Sequence, residues 1–419
     1  MKKSLLSLAV LLIAGTAVAQ VNFTFNRTSK TEADVIVSKD GETTTTITAS
    51  VAISGANEYK VQAKDTNDGA SGALSSLPSV LCIARNTSKA TEAAPNKYTL
   101  TITNNSENPI QFSKVVLKNG GFNNDANWQG MNVLNSIRKF KIGYNGEDAD
   151  AVEKYVCHNS QVHADYTDLY RYNSFTAPAS QIVNPGKTYT LTISVYTEPN
   201  ASGMYYGLAE VSLIEPYTLT VGKAGYATLM LGYNAQIPEG VTCYKANVDG
   251  TRAVLTAITS NVVGGLDANT AVLVEVENND EGYTFEPYED GSRSINPLNE
   301  IDTNEGNELL GTLSAKSITP EPVTTCYVLA KPEGREVGFY CAALTEEGSF
   351  LNNANKAYLP VIAGTGARFL SFDFGTETAI DELKAENGNL KTETFDLAGR
   401  RVQGAQKGIF IVNGKKVIK

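Results

Sequence analysis

Residues able to do chemistry are few and scattered in this 419-residue chain. Its two histidines, His158 and His163, lie five apart beside Cys157, so Cys157-His158 is the one place where a thiol adjoins a base. Adjacent side chains in an extended segment point to opposite faces, which keeps such a pair from acting together. The sequence contains no G-x-S-x-G elbow, no H-E-x-x-H and no P-loop. Oxygen ligands cluster before a glycine in KDTNDGASG, with Asp65, Asn67 and Asp68, and more weakly at Asn124, Asp125, Asp148 and Asp150. A calcium loop of the EF-hand kind also needs a glutamate at its end, so these clusters read as solvated turns, and no metal or other cofactor is expected. A glycosidase needs only two carboxylates about 5 to 9.5 Å apart, a separation that sequence does not encode.

Recognition chemistry has better candidates. Trp128 stands between Asn127 and Gln129, and Tyr166, Asp168, Tyr170 and Tyr172 crowd into DYTDLYRYNSF. An aromatic face covers the C–H surface of a sugar while neighbouring amides and carboxylates bond its hydroxyls. The competing reading is that these rings fill the domain core. Tyr189, Tyr205 and Tyr206 belong to alternating runs and read as structural.

The elements that must position these residues are strands. From Val21 to Ile214 short runs alternate with period two: Val35 to Val37, Thr44 to Ile53, Tyr98 to Ile102, Phe112 to Leu117, Tyr189 to Ile193 and Leu208 to Ile214. Such runs have one buried face, and their spacing predicts a sandwich or jelly roll. KYTLTIT from Lys97 and TYTLTIS from Thr188 are nearly identical and read as equivalent core strands. Between them, residues 120–185 form a long irregular region in which Asp150 to Tyr155 can start a short helix, the remainder being loop and edge strand. A boundary falls at Glu215-Pro216. Beyond it, Asp249-Gly250 signals a two-residue hairpin, and further strands are expected at Ala271 to Val276, Gly282 to Pro287, Thr325 to Ala330, Val337 to Leu344, Lys356 to Val361 and Phe369 to Phe374. The predicted class is all-β: two β-sandwich or jelly-roll-like domains over 20–215 and 216–376, an acidic linker over 377–393, and a small β-hairpin module over 394–419.

Composition agrees with export. The first residues, MKKSLLSLAVLLIAGTAVAQ, have a charged start, a short apolar run and an A-x-A pattern at Ala17 and Ala19, which predicts a signal peptide over 1–19. No later stretch is apolar enough for a transmembrane helix, so none is expected after its removal. Loss of Lys2 and Lys3 takes the formal charge from −10 to −12, and an acidic surface argues against nucleic acid, which needs a basic face. Five cysteines, Cys82, Cys157, Cys243, Cys326 and Cys341, leave at least one unpaired. A hairpin turning at Glu333-Gly334 would set Cys326 opposite Cys341, within reach of a disulfide. Buried free thiols are the other reading for all five.

The end of the chain, TFDLAGRRVQGAQKGIFIVNGKKVIK, is short, basic and β-patterned, with Ala398-Gly399 and Asn413-Gly414 as turn signals. In order and spacing it resembles the C-terminal sorting-type domain of secreted Bacteroidetes proteins, with Asp396, Gly399, Arg400, Val402, Gly408, Phe410 and Val412 on the motif positions. GYATLMLGYNAQIPEGV near Gly225, LDANTAVLVE near Leu266 and NNANKAYLPV near Asn352 resemble a β module that precedes such tails in Bacteroides- and Prevotella-like exported proteins. These resemblances imply a secreted or cell-surface protein whose tail engages the export machinery. The expected function is non-catalytic recognition of a glycan or of a host or matrix protein. The alternatives are a structural or assembly component of the cell envelope, and a carbohydrate-active hydrolase whose acids are not apparent in the sequence.

Overall fold

The computed structural model describes residues 20–27, 33–54, 81–83, 92–93, 95–123, 137–155, 171–196, 204–258, 265–278, 281–289, 306–362, 366–374, 394–395, 409–412 and 415–418. Among them there is no helix, and hence none long and apolar enough to cross a membrane. The chain divides into two compact units, one ending at Phe374 and one over 375–419.

The first unit opens with strands β1 (Gln20–Arg27), β2 (Ala33–Lys39), β3 (Glu42–Thr43), β4 (Ile47–Ser54) and β5 (Leu81–Ile83). Then come β6 (Asn96–Asn104), β7 (Ile110–Asn123), β8 (Ile137–Tyr144), β9 (Glu147–Asp148) and β10 (Val152–Tyr155). Finally β11 (Arg171–Val183), β12 (Lys187–Tyr196) and β13 (Met204–Ile214) complete a sandwich. One sheet runs β11-β7-β13-β1-β2-β3 with β5 also on β13; the other runs β10-β8-β12-β6-β4 with β9 on β8.

The near-identical runs are neighbours. They are the centres of β6 and β12, paired antiparallel with Tyr98 opposite Ile193, Leu100 opposite Leu191 and Ile102 opposite Tyr189. Each pair faces the core, where all six side chains are almost fully buried, while the intervening threonines are half-buried on the outer face. Period-two alternation therefore encodes both the strands and their register. The opposing sheet supplies Phe23, Phe112, Val115, Leu117, Val211 and Leu213 to the same core.

Residues Val152 to Tyr155 do not start a helix. They form β10, paired with β8 from Val152–Phe140 to Tyr155–Ile137. Good helix formers such as Glu153 and Lys154 yield here to the ladder that an open sheet edge offers.

The chain leaves the sandwich at Glu215-Pro216. The next strands are β14 (Tyr217–Thr220), β15 (Tyr226–Met230), β16 (Ala235–Gln236), β17 (Val241–Asp249), β18 (Arg252–Ala257), β19 (Gly265–Leu266), β20 (Ala271–Val276) and β21 (Gly282–Phe285). They are followed by β22 (Leu310–Thr312), β23 (Lys316–Ile318), β24 (Thr324–Ala330), β25 (Gly338–Cys341), β26 (Phe350–Asn352), β27 (Lys356–Ile362) and β28 (Phe369–Asp373). Nine of them form a nearly closed barrel-like sheet, β15-β20-β17-β18-β28-β25-β24-β27-β22. Backbone and side-chain bonds stitch its seam: Met230 N–H donates to Asn355 O at 3.2 Å, Asn355 Nδ2 to Met230 O at 2.9 Å and Ala357 N–H to Thr228 Oγ1 at 3.1 Å.

β20 is apolar at every position except Glu275 because both its faces are covered. Ala271 and Leu273 face the barrel core, whereas Val272, Val274 and Val276 join a second core with Tyr217, Leu219 and Phe285. Val116 and Ile214 from the outer face of the first sandwich sheet enter that same second core. The two β regions of this unit thus share buried surface.

Two turns refine the sequence reading. In the β17–β18 hairpin Asp249 pairs with Arg252, so Gly250 and Thr251 form the turn, with Gly250 at φ +58°. In the β24–β25 hairpin Tyr327, not Cys326, is opposite Cys341. A one-residue slip reverses which face each side chain takes. Cys326 packs with Phe350 and Tyr358, while Cys341 lies against the barrel core and donates to Ala367 O at 3.3 Å, so both thiols are free.

In the second unit β29 (Thr394–Phe395), β30 (Ile409–Val412) and β31 (Lys415–Ile418) form a three-stranded antiparallel sheet. Val412 is opposite Lys415, the register that a two-residue Asn-Gly turn requires.

Candidate functional site

Register orders the ends of the sandwich strands. β6 ends at Asn104 opposite the start of β12 at Lys187 and the start of β4 at Ile47. At this end the connections are short. Asp40-Gly41 and Asn145-Gly146, all four at positive φ, make two-residue turns between Lys39–Glu42 and Tyr144–Glu147. Those dihedrals suit a type I′ turn, which follows the twist of the strands. Asn104, fully buried, fastens the other two connections. Its Nδ2 donates to Asn108 O at 2.9 Å and Val183 O at 2.8 Å, and its Oδ1 accepts from Ser106 N–H at 3.0 Å and Ser106 Oγ at 2.6 Å.

At the opposite end Asn123 of β7 pairs with Met204 of β13, and Asn119 with Arg171 of β11. In the facing sheet Ile137 of β8 pairs with Tyr155 of β10, Lys139 with Tyr196 of β12, and Val195 with Asn96 of β6. The strand ends that bracket residues 124–136, 156–170 and 197–203 therefore all lie at this one end.

Of the seven residues expected to bind a ligand, Tyr172 alone is described. It stands on β11 opposite Lys118, whose Nζ lies 5.6 Å from the ring centre, and it packs partly buried against the second core. Its ring contributes to the packing of the outer sheet face, as the competing reading of these rings has it. Asn127, Trp128, Gln129, Tyr166, Asp168 and Tyr170 lie outside the described residues, as do Cys157, His158 and His163. In the tail Phe410 and Val412 lie on β30, while Asp396, Gly399, Arg400, Val402 and Gly408 are outside the described residues.

Burial holds the Cys243 thiol and the Tyr226 phenol in their neutral forms. The Cys243 thiol is buried and pushed up to about 12 by loss of solvent, so it stays protonated at neutral pH. Glu275, on the barrel's inward face, accepts from Tyr226 OH at 2.7 Å and Tyr244 OH at 2.6 Å. Burial first, and then this carboxylate, push Tyr226 up to about 12, so the phenols remain donors. Phe372 and Phe374 pack edge-on to this cluster.

The sequence reading missed a lateral cleft of about 410 Å³ on the open side of the sandwich. Ile142, Tyr144, Val152 and Lys154 come from one sheet, Lys114 and Phe175 from the other, and Glu286, Pro287 and Glu289 from the segment after β21. Lys114 Nζ lies 2.9 Å from Glu286 Oε2 and donates to Thr176 Oγ1 at 3.1 Å. Lys154 pairs with Glu289, and its ammonium sits 5.5 Å from the Phe175 ring centre. These residues come from segments distant in the chain, and no local pattern announces the site.

The chain matches no protein-family model and no curated protein. Among solved structures it is similar to dimeric latent PorU from Porphyromonas gingivalis, at 11% identity and a TM-score of 0.19, over 58% of this chain and 21% of that one. The matched part is about a fifth of the PorU chain, and a likeness of that degree decides neither fold nor activity.

Proposed function

We propose that this chain is an exported, non-catalytic recognition protein of a Bacteroidetes-type bacterium, displayed on or released from the cell surface, that binds a glycan or a host or matrix protein. The observation that carries this reading is the gathering of strand ends. The ends that bracket residues 124–136, with Trp128, and residues 156–170, with Tyr166 and Tyr170, belong to one end of a rigid sandwich. Binding residues commonly sit on long connections held by such a scaffold. Export is supported by the charged and apolar start of the sequence and by the sorting-like motif of its tail.

Each half has its own test. A glycan array, with matrix proteins included, probed with residues 20–419 is expected to retain at least one class of ligand, and silence across the array would remove the recognition reading. A chain lacking 394–419 is expected to accumulate inside the cell; unchanged surface or medium levels would remove the role given to the tail.

One feature favours an assembly role instead. Among the described strands β4 ends its sheet, and Ile47 to Ser54 carry no charge, which leaves an edge open to strand addition. Concentration-dependent polymers in sedimentation runs would favour that alternative.

A further inference from the structure

The β4 edge differs from the other edges of the sandwich in carrying nothing that blocks strand addition. β10 holds Glu153 and Lys154, and β11 holds Pro178 and a register shift between Thr176 and Gln181. β3 is short, and the part of β2 beyond it bears the exposed Asp34. Charge, proline and irregularity are the usual guards of a sheet edge. β4 pairs with β6 in unbroken register from Ile47 to Ser54 without a charge, a proline or a glycine.

The neighbouring strand fixes which backbone groups of β4 face outward. Asn105 N–H donates to Thr46 O, while Asn104 O accepts from Gly186 N–H on the other side of β6. Bonded pairs alternate along an antiparallel ladder, so Thr48, Ser50, Ala52 and Ser54 bond to β6, and Ile47, Ala49, Val51 and Ile53 turn their N–H and C=O groups to the open edge. Among the described residues no backbone group pairs with these four. Their side chains point into the sandwich, where Ala49, Val51 and Ile53 are only partly buried, although Tyr98, Leu100 and Ile102 beside them on β6 are almost fully covered.

These features select the occupant. A second copy turned about a twofold axis through Ser50 sets Ile47 against Ile53 and Ala49 against Val51 on the inner face, and Thr48 against Ala52 and Ser50 against itself on the outer face. Every outward N–H and C=O of the four residues then meets its counterpart, apolar side chains meet apolar ones, and small neutral side chains meet small neutral ones. A formal charge of −10 repels copies elsewhere, so an uncharged edge is where two of them can approach. A closed twofold contact uses up the edge and stops growth at two copies.

We propose that this protein forms a symmetric dimer through β4, in antiparallel register centred on Ser50, which joins the sheets β10-β8-β12-β6-β4 of the two copies into one. The dimer does not rest on recognition by the loop-bearing end, which the array tests separately.

One strand pair is a small interface, so sedimentation velocity of residues 20–419 from about 2 to 200 µM is expected to show monomer and dimer in exchange and nothing larger. The dimer should tighten between about 50 and 500 mM salt, because salt screens the net charge. Ser50→Lys, at an exposed position, places like charges face to face and is expected to weaken the dimer about fivefold at unchanged Tm; Ser50→Glu should do the same, and mixing the two variants should restore it. Opposed residues at a non-bonded position lie about 4.5 Å apart, within disulfide reach. Under mild oxidation Ser50→Cys should therefore link to itself above the wild-type background, and Thr48→Cys should link to Ala52→Cys but not to itself. A monomer at every concentration, open-ended polymers, a dimer indifferent to Ser50→Lys, or self-linking by Thr48→Cys in place of Ser50→Cys would each overturn the proposal.

Discussion

At one end of the sandwich, residues 40–41, 105–109, 145–146 and 184–186 carry the chain between strands, and the buried amide of Asn104 makes four hydrogen bonds that hold two of those connections. At the other end the strands border residues 124–136, 156–170 and 197–203. Both ends close one core. The difference is one of constraint: backbone groups at the first end are satisfied by dedicated turns, which fixes residue types there, and the proposed recognition residues all belong to segments bracketed by the second.

That contrast predicts an ordering of mutational effects. Asn104→Leu should be the most damaging, costing roughly 3 kcal/mol because the Val183 and Asn108 carbonyls lose their donor together; urea unfolding measures it, and a loss below about 1 kcal/mol would mean the short-turn end is not the rigid one. Next comes Gly146→Val, which forces a β-branched residue to φ +101° and should cost about 1–2 kcal/mol, readable as a fall in Tm.

Alkaline pH should bring a subtler loss at the same end. Burial raises the phenols of Tyr144 and Tyr189, so above pH 10 the unfolded chain gives up protons that the folded chain keeps. Stability contributed by these two groups is therefore whole below pH 10 and declines as pH rises beyond it. Replacing both with phenylalanine should flatten the decline, and an unchanged alkaline midpoint would contradict the burial assigned to them. Smallest of all, Trp128→Ala at the other end should alter stability by less than about 0.5 kcal/mol.

Much of this architecture was legible in the sequence, because alternation in a one-side-solvated sheet writes each strand out directly. Tyr98 to Ile102 and Tyr189 to Ile193 showed their strands and their equivalence as core strands, while their pairing and its register came from the structure. What was not legible depended on partners distant in the chain. Val152 to Tyr155 became a strand through pairing with β8, against its helix-forming composition. The thiols of Cys326 and Cys341 were separated by a one-residue slip that a longer turn permits. For Tyr172 sequence left packing and binding open, and its place against the second core comes from residues far along the chain. The lateral cleft joins Lys114 to Glu286 and Lys154 to Glu289 across the sequence, and only the packing of the sandwich against the segment after β21 assembles it.

The central claim, that the open end of the sandwich recognises an external ligand, meets its most direct test in paired binding isotherms. Residues 20–419 and the Trp128→Ala variant would be titrated with the strongest ligand from the array. At least a tenfold loss of affinity in the variant is expected, at an unchanged Tm. Equal affinity in the two proteins would contradict it.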